Sequence, residues 1–318
     1  MEARARRRQA GRWQLSWRPQ RPLALVAGTP PGGGLDRSAR ALANAITANR
    51  LVDVAVEVVN VGGDGGRKAW VHMDGLAGDG HVAGISSPNM TADYLMGVTK
   101  ADPARFTPLA ILYTEYIALV VRTDDPMRHG GDLLARLGHD PQAVTVALST
   151  SLGNSNHVAV AKVIRHAGAD VNAPKIRVFD TALDAVADVV AGRADVGAIT
   201  AASPVPELRA GRLRTVAISS PERLPDIFAD APTWREQGVD CVIGSWRGVS
   251  GPEKIAIDQV AWWQGLLSRA VATPQWTADL ARHFWTPMYL DGAALVDHLG
   301  RERSEMRTVL SGLGLLGP

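Results

Sequence analysis

A single cysteine, Cys241, stands in a chain of 318 residues, so no intrachain disulfide can form, and no Cys/His cluster has zinc-ligand spacing. A disulfide scaffold and a structural zinc module are excluded, and no cofactor is expected. Long apolar runs are also missing. The longest, Phe106 to Val121, carries Pro108 and Glu115 and falls short of the ~20 residues that span a bilayer. Lysine is scarce, with five among 34 basic residues, and the basic excess sits at one end. Residues 1–21 hold seven Arg against one Glu, which leaves the remainder slightly acidic. A protein that tracks phosphates needs positive charge on a folded face, so nucleic acid is not an expected partner. The basic start is followed by neither an apolar run of ~7–15 residues nor a small-residue cleavage site. No secretory signal is read in the chain as written, and residues 1–17 are expected to be a disordered basic tail.

What is present is enough apolar residue, 46%, for two cores, since single cores stop growing near ~250–300 residues. Pro22 to Gly28 reads as a buried strand that runs into a glycine loop, and Asp36 to Arg50 has the period of an amphipathic helix. Val54–Val59 is a second strand, Val61 to Gly66 a second glycine loop, Arg67–Leu76 a helix and His81–Ser86 a third strand. Ala110–Tyr113 and Ile117–Arg122 read as two further strands. The alternation then restarts: strands at Val144–Ser149, Lys175–Phe179, Val196–Thr200 and Leu213–Ile218 are separated by helices at Asn156–His166 and Thr181–Ala191. Strands alternating with helices imply parallel sheets covered on both faces. From Pro252 the chain is expected to be almost entirely helical and to pack back on the first unit. The reading is α/β, two doubly wound lobes with a ligand cleft between them, crossed near Arg122 and near Ser245.

The glycine loops fail the dinucleotide pattern at its last position, and G-x-x-x-x-G-K-[ST] is absent. Two readings stay open for them: tight turns, or backbone amides at helix N-termini that favour an anion. Gly153 to His157 resembles a nucleophile elbow but has His157 where glycine is required. Residues two apart on a helix diverge, so His157 is not placed to serve Ser155 as a base. Ser151, Asn154 and Ser155 read either as helix caps or as carboxylate ligands. Asp36 reads as a first-turn acid or a cleft residue, and Trp246, at the second crossover, is expected to touch the cleft.

The motifs follow an order. Arg21-Pro22-Leu23 leads to Gly33-Gly34-Leu35-Asp36-Arg37, then Val59-Asn60 to Gly63-Asp64-Gly65-Gly66, Gly78-Asp79-Gly80 and Phe106-Thr107-Pro108. Gly153-Asn154-Ser155-Asn156-His157, Gly192-Arg193-Ala194-Asp195, Gly211 to Ala217, and Pro232-Thr233 before Glu236-Gln237-Gly238 complete the set. This ordered set resembles the Bug/TctC family, the extracytoplasmic solute-binding receptors of tripartite tricarboxylate transporters. The resemblance implies a two-lobed clamp, with lobe 1 at 18–122 plus 245–318 and lobe 2 at 123–244. It also implies a non-catalytic, monomeric, periplasmic receptor that closes on a small carboxylate and presents it to membrane permease subunits. The site it implies comprises Gly33, Gly34, Asp36, Gly65, Gly66, Ser86, Ser87, Asn89, Gly153, Asn154, Ser155, His157 and Asp180, with Trp246 added. Trp246-Arg247-Gly248, Trp276, Trp285 and Gly312-Leu313-Gly314-Leu315 resemble the tricarboxylate branch, which implies a citrate-like solute. Asp64 and Val178-Phe179-Asp180 depart from the family pattern. A hydrolase built on Ser155 and a sensor subunit for a signalling partner are the alternatives.

Overall fold

A computed structural model describes residues 17–316. The expected tail lies outside these residues except for Trp17, which packs edge-on against His81 and Trp262, ring centroids 5.2 and 5.0 Å away. The chain runs through β1 (Leu23–Ala27), α1 (Gly34–Ala48), β2 (Val56–Asn60), α2 (Arg67–Asp74), β3 (Val82–Ser86), α3 (Asn89–Leu95) and β4 (Thr107–Arg122). The pattern resumes with α4 (Gly130–His139), β5 (Thr145–Ser149), α5 (Ser155–His166), β6 (Lys175–Phe179), α6 (Ala182–Val190), β7 (Val196–Thr200), α7 (Val205–Arg209) and β8 (Leu213–Ile218). It returns through β9 (Gly244–Gly251) and ends in α8 (Ile257–Val271), α9 (Pro274–Arg282), β10 (Thr286–Leu290) and α10 (Gly292–Gly312).

The strand order is β2-β1-β3-β9-β4-β7-β5-β6, with β10 and β8 each pairing β4 as well. The sheets are mixed rather than parallel. β1 pairs β2 and β3 in parallel, and β5 pairs β6 and β7 in parallel, as the alternation requires. β4 and β9 run antiparallel to each other and to their neighbours. The two strands expected at 110–113 and 117–122 are one 16-residue strand, β4, which changes sheet along its length. Its first part lies between β9 and β10, and from Ile117 onward it lies between β7 and β8. The change falls between Tyr116 and Ile117, ahead of the crossing expected near Arg122.

Two strands escape the sequence reading. β9 is rich in glycine and serine, a composition that weakens intrinsic strand preference, yet it is held on both edges and needs small residues there. A Cβ on Gly248 would lie 2.6 Å from the Ala110 carbonyl oxygen. β10 carries Pro287 and pairs β4 alone, the edge position a strand proline tolerates.

Each sheet is covered on both faces. Ala39, Leu42, Ala45 and Ile46 of α1 face Leu23 and Leu25 of β1, and α8 adds Trp263, Leu266 and Leu267 to the same core. The C-terminal helices α8 and α9 thus pack on the first sheet as expected. Two further clusters sandwich the second sheet, one around Leu148, Val163 and Trp234, the other around Val189, Ile199 and Phe228. Trp263 is fully buried, and its indole N–H donates to the Gly80 carbonyl at 2.8 Å. Trp263→Ala is expected to lower the unfolding free energy by about 3–5 kcal/mol, read from urea denaturation followed by far-UV circular dichroism.

Candidate functional site

The loops at the carboxyl ends of the parallel strands of both sheets face each other across one cleft, which encloses about 760 Å³ with its open mouth included. Thr29, Gly33, Gly34, Gly65, Gly66, Arg67, Ser87, Asn89 and Asp93 line it from the first sheet. Ser149, Thr150, Asn154, Ser155, Asn156, Asp180, Thr181, Thr200 and Ser203 line it from the second, and Ser245 and Arg247 of β9 form part of its wall.

Four helices of at least two turns start on this cleft. α1 and α2 begin after Gly33 and Gly66, which offer no side-chain cap. The Asp36 amide donates to Thr29 Oγ1 at 3.0 Å and the Arg67 amide to the Asp64 carbonyl, which leaves the Gly34 and Leu35 amides of α1 for solvent or solute. α5 and α6 are capped: Asn154 Oδ1 accepts the His157 amide at 3.0 Å, and Thr181 Oγ1 accepts the Asp184 amide at 3.1 Å. Capping explains Asn154 and Thr181, while Ser155, the first residue of α5, lines the cleft.

The lobes already touch. Asn89 Nδ2 donates to Thr150 Oγ1 at 2.9 Å, and Arg37 Nη2 donates to Ser203 Oγ at 3.1 Å. Gly65, at φ +64°, comes so close to the opposite loop that a Cβ there would sit 2.7 Å from the Thr150 carbonyl oxygen. Thr150 itself adopts φ +70°, a strained conformation for a β-branched residue. Its amide donates to Phe179 O at 2.7 Å, and its hydroxyl also accepts from Asn154 Nδ2 at 2.8 Å.

Of the residues proposed from sequence, Gly33, Gly34, Gly65, Gly66, Ser87, Asn89, Asn154, Ser155 and Asp180 line the cleft, and five others do not. Asp36 is buried beneath the first loop. Its carboxylate accepts from the Gly32 amide at 2.8 Å, from Asn60 Nδ2 at 2.8 Å and from Arg40 Nε at 2.9 Å. Burial pushes its pKa up, but the bonds from Arg40, Asn60 and Gly32 outweigh that and hold it below the ordinary range. Asp36 therefore shapes the loop rather than touching a solute. Gly153 faces away, toward Met96 and Leu310. His157 is buried behind it, with Nδ1 accepting the Gly153 amide at 3.0 Å, and burial lowers its pKa. Ser86 and Trp246 line a separate groove beside α10, where the Trp246 indole N–H donates to Glu302 at 2.6 Å.

The residue missed in sequence is Arg247. Side chains alternate across a strand, so Ser245 and Arg247 share the face opposite Trp246. Reading 244–251 as a strand would have sent Arg247, not Trp246, to the cleft. Its guanidinium pairs with Glu115 of β4, and Nη1 donates to Ser245 Oγ at 2.7 Å and to Trp246 O at 3.0 Å. The Nε–H has no partner among the described residues. Arg67 and Asp93, on α2 and α3, were likewise not singled out.

This geometry has a counterpart among known proteins. Residues 39–313 match the TctC family, described as the tripartite tricarboxylate transporter family receptor. The chain belongs to the TctC family. The family is one of solute-binding receptors and not of enzymes. BugT of Bordetella pertussis is 25% identical over 240 residues, 74% of this chain and 72% of that protein. An R. palustris protein solved with adipate superposes with TM-score 0.84, at 22% identity over 94% of this chain and 99% of the other. MatC of Rhodopseudomonas palustris, solved with bound malate, superposes with TM-score 0.77, at 23% identity over 92% and 99%. At these identities the structural likeness is one of fold, that of the two-lobed periplasmic binding proteins to which TctC receptors belong. No helix among the described residues is long and apolar enough to cross a membrane.

Glu115 and Arg247 are both almost fully buried, so removing one charge strands the other in a low-dielectric site. Glu115→Gln is expected to destabilise the fold by about 3–5 kcal/mol in chemical denaturation. The double variant Glu115→Gln/Arg247→Met should recover part of that loss.

Proposed function

We propose that this chain is the periplasmic receptor of a tripartite tricarboxylate transporter. As a monomer it traps a small carboxylate by closing its lobes about the paired crossovers β4 and β9, and it presents the closed form to the membrane permease. The observation that carries this reading is the convergence of four helix N-termini, those of α1, α2, α5 and α6, on one cleft lined by both sheets. Each end bears a partial positive charge of roughly half an electron and outward-facing amides, which suits a carboxylate without a free basic side chain. Malate and adipate in two proteins of the same fold support a carboxylate as the solute class.

The cleft is a poor match for a citrate-like trianion, the solute implied by the C-terminal resemblance. Arg67 and Arg247 on its wall are balanced by Asp93 and Asp180, so a second and third carboxylate would find no uncompensated cation. We infer a ligand with fewer negative charges.

Thermal unfolding of the full chain against di- and tricarboxylates, amino acids and aromatic acids tests the reading. A ligand at ~100 times its Kd adds ~2.7 kcal/mol to the native state, so one acid class should raise the midpoint clearly. Gly65→Ala, which obstructs contact with Thr150, should weaken that ligand roughly tenfold or more, at a cost to the ligand-free fold of only ~1–2 kcal/mol for the left-handed backbone. A folded protein that no acid in the panel stabilises would refute the proposal.

A further inference from the structure

Asp93 is the buried acid on the cleft wall. Its side chain is 3% exposed, and Oδ2 lies 3.5 Å from Arg67 Nη1, longer than a hydrogen bond. Oδ1 has no hydrogen-bond partner among the described residues. Burial drives the Asp93 carboxyl above its ordinary pKa, and the Ser151 hydroxyl and Arg67 offset this only in part. A buried acceptor without a partner costs the desolvation of that atom. The cost is recovered when a donor reaches that oxygen from the cavity that Asp93 helps to line.

The charges around the cleft select the donor. Arg67 and Arg247 line it, and Arg37 reaches it through Ser203; Asp93 and Asp180 line it, and Glu115 is bound to Arg247. These six cancel, so the solute's negative charge is left to the helix ends and to the unpartnered Arg247 Nε–H, which is 90% buried with its side chain. A solute group lying against Asp93 must then donate, and a positive donor forms the stronger, charge-assisted bond there.

Resting on the receptor reading above, we propose that the cleft takes a zwitterion, a small amino carboxylate whose ammonium group donates to Asp93 while its carboxylate accepts from Arg247 Nε and the amides that open α1 and α5. Asp93 is then the residue that separates amino acids from plain carboxylic acids of the same length.

The test is isothermal titration of the full chain with matched pairs: L-aspartate and succinate, L-glutamate and glutarate, L-leucine and 4-methylpentanoate, with L-malate as the hydroxyl analogue of aspartate. In at least one pair the amino member should bind roughly tenfold or more tightly than its partner, the scale of one charge-assisted hydrogen bond. Asp93→Asn should abolish that preference, weakening the amino acid while the plain acid, relieved of a like charge, binds no more weakly than before. A plain acid or L-malate that binds as tightly as the amino acid overturns the proposal while leaving the receptor reading intact, and so does a preference that survives in Asp93→Asn. Silence from every acid removes both. Should Asp93→Asn fail to fold by circular dichroism, the wild-type pairs decide alone.

Discussion

One strand belongs to two sheets. β4 supplies the centre of both, with β9 and β10 flanking its first part and β7 and β8 its second. Everything that positions the cleft depends on this sharing, because it fixes the two sets of loops on the same side of a common spine. The return crossover runs alongside: Gly244 pairs with Tyr116 where β4 changes partners. Ser219 ties the two crossings together, accepting the Ile117 amide at 2.8 Å and donating to the Ile243 carbonyl at 2.6 Å while fully buried. The two crossings are thus held to each other by strand pairing and by one buried hydroxyl.

The electrostatics of the cleft follow from that architecture. Parallel strands followed by helices deliver helix N-termini to one edge of each sheet, and two such edges facing each other make an electropositive gap out of peptide dipoles alone. The basic side chains that line the gap, Arg67 and Arg247, each face an acid, Asp93 and Glu115. The buried pair of Glu115 and Arg247 sits at the waist, where it costs desolvation and gains a guanidinium fixed in register with the loops.

Much of this was legible in the sequence. The parallel strands and the helices between them announce themselves through apolar periodicity punctuated by glycine, and the glycine loops at Gly33–Gly34 and Gly65–Gly66 do line the cleft. What the sequence concealed were features set by partners distant in the chain. β9 has no intrinsic strand signature and exists because two neighbours hydrogen-bond it, so Trp246 was assigned the face that belongs to Arg247. Asp36 and His157 sit in motifs that do form cleft loops, yet each supports a loop from behind. A motif marks the loop; only the local backbone direction says which of its side chains look outward. Asp93 lies in a short helix with no pattern around it, and only the fold reveals its burial and the unpartnered Oδ1.

The last helix joins both halves of the molecule. Leu295, early in α10, packs with Ile111 and Trp246 on the first sheet, while the Leu310 side chain, fully buried near its end, lies over Gly153 in the loop that opens α5. A rod anchored on one body with its tip resting on another behaves as a lever. A rotation of one sheet against the other would have to slide Leu310 across Gly153, and a side chain at 153 would press on the far end of α10.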